Sequence, residues 1–491
     1  LNSQALMVVG ARVEVETAPL SRAAVEELKV AFSHINAHRE ALKRMRIPYK
    51  TEPAIISTWR EDAGWLSLPR GGFTRVRDIL ERYGVRPIVE DFSTEGAPDL
   101  RGEVKPHRLV LYPDQEKAVS AALGAKTCLL RAPTGSGKTS CGLAMAARVN
   151  LPTLAIVPNR GLFDLWVARV QSELGMRAGV IQGPTTDVRP VTVAMQKTLY
   201  DRFESGKGED LKDAFGVVLL DECQAAPART FFGAVDPLSA RYRIGLSADE
   251  RRKDRKEFLA QDLFGEVAAE ISRDALEDAG RVMDVRIDVV PTNFSADWYG
   301  MPDSGADREL DFGRLLEEMA GDHERNGLAI EHACRDLQKG EQVLVMSRRR
   351  EHCRDLAALL VARNVRTGFM IGGEDYRSEF VATREGLMRG DVRAAVGTYQ
   401  AIGQGIDLPR VASVVAATPI AGNRQFFQQV RGRVARVAEG KKDARLIYLW
   451  DRNVFGMKHL QNLCAWNRRV RLFVNDEWVD AGSQIKIGRR R

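Results

Sequence analysis

From about residue 106 onward, short continuous apolar runs alternate with segments whose apolar positions recur at helical spacing. Runs at 127–131, 153–157, 190–195, 216–220 and 242–246 form one series. Runs near 285–290, 342–346, 367–371, 393–397, 412–416 and 445–449 form a second. Apolar runs this short suit strands buried on both faces, and the helices between them suit parallel crossovers. The order predicts an α/β chain with two doubly wound parallel-sheet domains.

The first hundred residues read differently. Residues 7–16 alternate as one strand would, and Ser21 is placed to cap a helix running through Val25, Leu28 and Phe32. Residues 37–45 predict a basic helix carrying Arg39, Lys43 and Arg44, with Arg46 just beyond. Residues 55–60 and 65–68 predict a hairpin around Asp62-Ala63-Gly64. Residues 73–83 predict a helix closed by Gly84, and the polar stretch 93–105 reads as a linker. The expected organisation is an accessory α/β domain over 1–104, a first doubly wound domain over 105–282, and a second over 283–491 with a C-terminal extension.

Composition narrows this little. Apolar and charged residues make up 44% and 28% of the 491, ordinary for a globular protein. No run of 18 apolar residues is present, so no membrane partner is expected. The six cysteines form no Cys-x-x-Cys pair and no zinc spacing, which suggests free thiols in a reducing, cytoplasmic compartment. A net charge of +7 leans toward a polyanionic partner.

Chemistry enters at Ala132-Pro133-Thr134-Gly135-Ser136-Gly137-Lys138-Thr139, which follows an apolar run and opens a helical one. A strand, a glycine-rich loop and a helix N-terminus together aim backbone N–H groups at phosphates. Lys138 is placed to reach the same oxygens, and the Thr139 hydroxyl to hold Mg²⁺. About 80 residues on, Val217 to Leu220 lead into Asp221 and Glu222. Alone, an acidic pair after a strand is usually a solvated turn. Behind a phosphate loop, Asp221 becomes a candidate metal ligand and Glu222 a candidate for polarising the attacking water. Gln429, Arg433 and Arg436 recur at helical spacing in a basic segment. Most such segments are solvated faces, but arginines presented from a second domain can also neutralise a transferring phosphoryl group.

These three segments resemble motifs I, II and VI of superfamily 2 helicases. Other family motifs follow in order over roughly residues 108–450. Residues 111–115 resemble the adenine-reading Q motif, with Gln115 in its key position; 156–160 resemble motif Ia and 191–196 motif Ib. Residues 245–249 resemble motif III, 343–348 motif IV, and 397–400 with 405–409 motif V. Tyr112-Pro113-x-Gln115 and the Phe426-x-Gln428-Gln429 entry to motif VI are similar to the DNA-directed XPB, RecG and UvsW branch. Three positions depart from its pattern: Gln224 ends motif II, Asp249 ends motif III, and Tyr112 replaces a common arginine.

The resemblance implies two RecA-like domains using ATP and Mg²⁺. It assigns Gln115, Pro133, Thr134, Gly135, Ser136, Gly137, Lys138, Thr139, Gly405 and Asp407 to the nucleotide, and Thr139 and Asp221 to the metal. Lys138, Thr139, Asp221, Glu222, Gln429, Arg433 and Arg436 become the catalytic set. Asn159, Arg160, Thr192, Gln196, Arg348 and Thr398 become nucleic-acid contacts. The implied activity is ATP-driven unwinding or remodelling of single-stranded, duplex or branched DNA by a monomer, with RNA a further candidate substrate. Two alternatives stay open: a double-strand translocase serving a restriction or defence assembly, and a nucleic-acid-binding scaffold with a dead ATPase. Trp450, Trp466 and Trp478 could stack on bases, though core packing is their simpler role.

Overall fold

The computed structural model describes residues 3–44, 53–223, 228–248, 257–299, 308–402 and 408–483. The chain divides into two compact units, Leu1–Arg273 and Asp274–Arg491.

The first unit begins with a module of β1 (Ser3–Val9), β2 (Arg12–Glu16), β3 (Ser33–Ile35), β4 (Ile55–Ser57), β5 (Arg60–Asp62), β6 (Trp65–Pro69) and β7 (Val85–Asp91). Five of these form a sheet in the order β5-β6-β2-β1-β7, while β3 pairs with β4. The alternation at 7–16 is a hairpin and not one strand: β1 and β2 pair antiparallel, with Gly10 N–H closing onto the Arg12 carbonyl. The predicted hairpin is likewise shifted, with β5 and β6 joined through Ala63 and Gly64, both in the left-handed region. Ser21 caps the helix Arg22–Ala31 by accepting from Ala24 N–H. That helix and Phe73–Arg82 bury Leu28, Val76 and Leu80 against Met7, Val13 and Leu66 of the sheet.

The larger sheet of this unit contains β8 (Thr127–Arg131), β9 (Thr153–Val157), β10 (Gly179–Gln182), β11 (Thr185–Asp187), β12 (Val191–Met195), β13 (Val217–Asp221), β14 (Tyr242–Ser247) and β15 (Val267–Glu270). Their order is β11-β10-β12-β9-β13-β14-β8-β15, and every pairing is parallel except β10 with β11. All five predicted runs are strands here. The edge strands β11 and β15, and β10 next to one of them, carry three or four residues each, too few to stand out as apolar runs.

The N-terminal module is bolted to this sheet by buried charge. Arg12 Nη1 donates to both oxygens of Asp236 at 2.7 Å, and Arg12 Nη2 donates to the Thr58 carbonyl. Asp262, whose side chain is fully buried, accepts from Thr58 Oγ1 at 2.6 Å and Arg75 Nη1 at 3.2 Å, and pairs with His34 Nε2 at 2.9 Å. Arg70 donates to the carbonyls of Gly10, Ala240 and Arg241. Arg243 donates to those of Ala11 and Leu238. Burial, with Arg70 and Arg12 close by, holds the Arg243 guanidinium down at about 9. The stretch 93–105 is not a loose linker: Thr94 bridges to Ala240 and Gly96 to Phe215, so the chain straps down the sheet.

The second unit repeats the plan with β16 (Arg286–Thr292), β17 (Gln342–Ser347), β18 (Thr367–Met370), β19 (Ala394–Thr398), β20 (Val411–Ala416), β21 (Arg445–Asp451), β22 (Val470–Val474) and β23 (Glu477–Asp480). The order is β18-β19-β17-β20-β21-β16-β22-β23, parallel but for the final hairpin. All six predicted runs are strands. The hairpin β22–β23 lies beyond them, and its Trp478 packs against Phe473 and His332. Trp450 is buried in β21 and Trp466 packs on Phe427, so the tryptophans serve the core.

Candidate functional site

Three strands bring the phosphate loop and the acidic pair to one sheet edge. Asp221 pairs in register with Leu246 of β14, and Leu246 with Leu130 of β8. The carboxyl ends of β13, β14 and β8 are therefore flush. With strands about 4.8 Å apart, β13 and β8 stand about 10 Å from each other. Lys138, first residue of the helix Lys138–Val149, spans that gap: its Nζ lies 3.3 Å from Glu222 Oε1 and 3.2 Å from the Ala132 carbonyl.

The loop is shaped by two glycines. Gly135 has φ 95° and Gly137 φ 82°, backbone that a side chain resists. A Cβ on Gly137 would also lie 2.4 Å from Gln115 Nε2. Gln115 donates from that nitrogen to the Ser136 carbonyl at 2.6 Å, and its Oε1 accepts from Tyr112 N–H at 2.8 Å. Both ends of the amide are thus engaged inside the chain. Gln115 thereby braces the phosphate loop. The Ser136 hydroxyl is buried with no partner among the described residues, a donor held at the loop for an incoming acceptor. Pro133, Thr134 and Thr139 lie on the same loop and helix start. An orphan donor, two left-handed glycines, a lysine and two carboxylates fit a magnesium-bound nucleoside triphosphate.

Asp221 is the electrostatic centre. Trp166 Nε1 donates to its Oδ2 at 2.8 Å, and Glu222 N–H to its Oδ1 at 2.8 Å. Burial, then the neighbouring Glu222 charge, raise its carboxyl to about 6, against the opposing pull of Lys138 and Trp166. Glu222 has φ 50°, a left-handed conformation in a residue with a side chain. Such strain concentrates where a structure must aim a group. Trp166 carried no sequence signal as a site residue, since a tryptophan on an amphipathic helix reads as core.

The proposed nucleic-acid residues divide. Arg160 is exposed and carried on the helix Arg160–Leu174, which Asn159 caps by accepting from Leu162 N–H. Arg348 follows β17 directly and is exposed, with its guanidinium 4.2 Å from the Phe426 ring centre. Thr192 is a correction: it is fully buried and its hydroxyl is exchanged with the Arg189 backbone, so no phosphate can reach it. Gln196 is also buried and donates to Thr230 Oγ1. Thr398 is buried and caps the short helix Tyr399–Ile402 through Ala401 N–H. In Thr192 and Thr398 the polar group closes a turn at a strand end, and in Gln196 it ties one helix to the next, work that a motif does not distinguish from ligand contact.

In the second unit the helix Arg424–Val434 carries Gln429 and Arg433. Arg436 is not on it: the helix ends at Val434, and the chain turns into a bridge between Arg436 and Val282. Helical spacing therefore does not align Arg436 with the other two. Arg431 is buried in a 2.6 Å ion pair with Glu277 and is structural. Gly405 and Asp407, like Arg46, Gln224 and Asp249, lie outside the described residues.

The loop holding Arg348 and Arg349 rests on a buried relay absent from the sequence reading. Asn326 Nδ2 donates to the Ala320 carbonyl, so its Oδ1 accepts from His352 Nε2 at 2.8 Å. His352 Nδ1 then accepts from the Ser347 hydroxyl at 2.9 Å, and Ser347 Oγ accepts from Arg349 N–H. Burial holds the imidazole neutral, down at about 3. Ser347 and His352 are wholly buried, so this serine–histidine pair positions a loop and attacks nothing.

Among the described residues no cluster of side chains suits a multi-ligand metal site, and no helix is long and apolar enough to cross a membrane. None of the six cysteines, all among the described residues, forms a disulfide.

Residues 108–251 match the family of the type III restriction enzyme res subunit. A protein named as a probable helicase in Escherichia phage T5 is 24% identical over 402 residues, covering 82% of each chain. A protein named as an XPB-type DNA 3′-5′ translocase in Sulfurisphaera tokodaii is 26% identical, covering 68% of this chain and 80% of its own. Among solved structures, a fragment of a candidate HsdR subunit of a type I restriction enzyme from Vibrio vulnificus has the same fold, with TM-score 0.54 and 16% identity over 95% of this chain and 86% of its own.

Proposed function

We propose that this chain, a superfamily 2 helicase of the XPB- and UvsW-like branch, couples ATP hydrolysis to movement along DNA and to the remodelling of branched DNA. The observation that carries the mechanism is the convergence of Lys138, Asp221 and Glu222 on one sheet edge beside the orphan Ser136 hydroxyl. The loop N–H groups, Ser136 and Lys138 would bind the phosphates. Thr139 and Asp221 would hold Mg²⁺, which draws charge from the transferring phosphoryl group. Glu222 orients the attacking water. Arg433 and Arg436 are the arginines we assign to the γ-phosphate, with Gln429 beside them.

For nucleic acid we retain Arg160 and Arg348, with Asn159 as a capping neighbour, and remove Thr192, Gln196 and Thr398 from direct contact. Contacts to phosphate carry no sequence information and weaken with salt. The direction named for the XPB-type relative, 3′ to 5′, is the expected direction here. The basic helix of the N-terminal module, through Arg39 and Lys43, is proposed to grip duplex beside the motor.

ATPase rates with single-stranded, blunt duplex, forked and four-way DNA, and with RNA, test this reading together with gel assays for released strands. Greatest stimulation by DNA with strand release on forks supports it. Stimulation by blunt duplex with no released strand would favour the translocase reading that the res-subunit match also fits. No stimulated ATPase on any substrate would overturn both.

A further inference from the structure

We infer that Phe426 is a positioning residue that transmits DNA contact at Arg348 to the helix carrying Gln429 and Arg433. The inference rests on the proposed role of Arg348 and of that helix. Its basis is a contiguous packed path inside the second unit.

Ser347 and Thr398 are register partners at the ends of β17 and β19, so Arg348 and Tyr399 leave the sheet side by side. Arg348 N–H donates to Thr418 Oγ1 at 3.1 Å, and the Tyr399 hydroxyl donates to the Thr418 carbonyl at 3.0 Å. The Phe426 ring sits against both: its centre is 4.2 Å from the Arg348 guanidinium carbon and 4.9 Å from the Tyr399 ring, edge to face at 75°. Phe426 is anchored in the first turn of the helix Arg424–Val434, where its N–H donates to Oδ1 of the capping Asn423 at 2.9 Å. Gln429 and Arg433 follow it at three and seven residues, on the same helical face.

A guanidinium over a ring directs its N–H groups outward in its plane; one on Arg348 Nη2 reaches the Pro419 carbonyl at 3.5 Å, and the rest can hold a phosphate without the group leaving Phe426. A bound phosphate fixes the guanidinium, which narrows the positions open to the ring and to the helix turn it belongs to. The Ser347–His352–Asn326 relay braces the other side of the loop. By reciprocity, nucleotide contact at the helix should tighten DNA at Arg348 by the same factor.

The test compares Phe426→Ala, Phe426→Leu, Phe426→Tyr, Arg348→Lys and Arg348→Ala, each in the full chain with its melting temperature. Phe426→Ala should keep basal ATPase within about twofold and lose about tenfold of DNA stimulation, within the usual range of coupling between sites. Phe426→Tyr should restore stimulation and Phe426→Leu should not, because the ring face and not apolar bulk is required. Arg348→Lys, which retains charge but cannot stack, should keep most DNA affinity and lose stimulation. Full stimulation in Phe426→Ala, or rescue by Leu equal to that by Tyr, overturns the inference. Unchanged DNA affinity and salt slope in Arg348→Ala would instead remove Arg348 as a contact, a separate result from the Phe426 series.

Discussion

Lys138 and Glu222 hold each other, with Nζ 3.3 Å from Oε1, while the lysine also donates to the Ala132 carbonyl. The loop lysine is thus paired with the carboxylate to which we assign the attacking water. On that assignment a triphosphate would compete for the lysine and leave Glu222 to turn to water. Lys138→Ala should lower ATP turnover by about 100-fold or more, the scale of losing one preorganised charge donor, with DNA binding retained. Turnover near the parent rate would remove the site assignment.

Glu222→Gln preserves shape and removes the charge. It should bind ATP and hydrolyse it slower by about 10² or more, and hold DNA longer in the presence of ATP. Single-turnover kinetics and DNA dissociation rates measure the two halves separately, and an unchanged chemical step would move the water-orienting role elsewhere.

Asp221 sets a pH dependence. Its carboxyl is raised from 3.8 to about 6. Between those values the folded state binds more protons than the unfolded one, so this group's contribution to stability falls as pH rises through that window. Magnesium needs the anion. The rise in melting temperature caused by magnesium and nucleotide should therefore grow with pH through about 6 and level off above it.

Trp166→Phe removes the donor to Asp221 Oδ2. A hydrogen bond to the anion lowers its pKa, so its loss should raise the carboxyl further and move the acid limb of the ATPase profile to higher pH. A lower rate with the limb in place would mean that Trp166 serves packing alone.

The N-terminal module should be tested by charge and not by deletion. Removing residues 1–104 strips Arg12 from Asp236, and His34, Thr58 and Arg75 from Asp262. Leaving one partner of a buried pair uncompensated costs about 3–5 kcal/mol, so the deletion should melt far lower and lose every activity together. Arg39→Glu with Lys43→Glu alters the basic helix while leaving those buried pairs in place. It should keep the melting temperature and weaken DNA binding at low salt, with a shallower salt slope. Equal affinity to the parent would assign the module to stabilising the motor alone.

The sequence by itself determined the two sheets, the phosphate loop and the acidic pair. Strands buried on both faces write themselves as apolar runs, as in 217–220, and a phosphate cradle needs glycines and a lysine at fixed offsets along the chain. Tertiary structure alone decided what touches what. Thr192 and Gln196 have the right identities for phosphate contact, but packing buries them, one inside β12 and the other at the start of the helix that follows it. Arg436 keeps helical spacing in sequence, yet its pairing with Val282, far back in the chain, draws it off the helix. Trp166 on Asp221, Arg12 on Asp236 and Arg348 on Phe426 join residues remote in the chain. No local pattern encodes such pairs, because their energy depends on burial and direction that exist only once the sheets have formed.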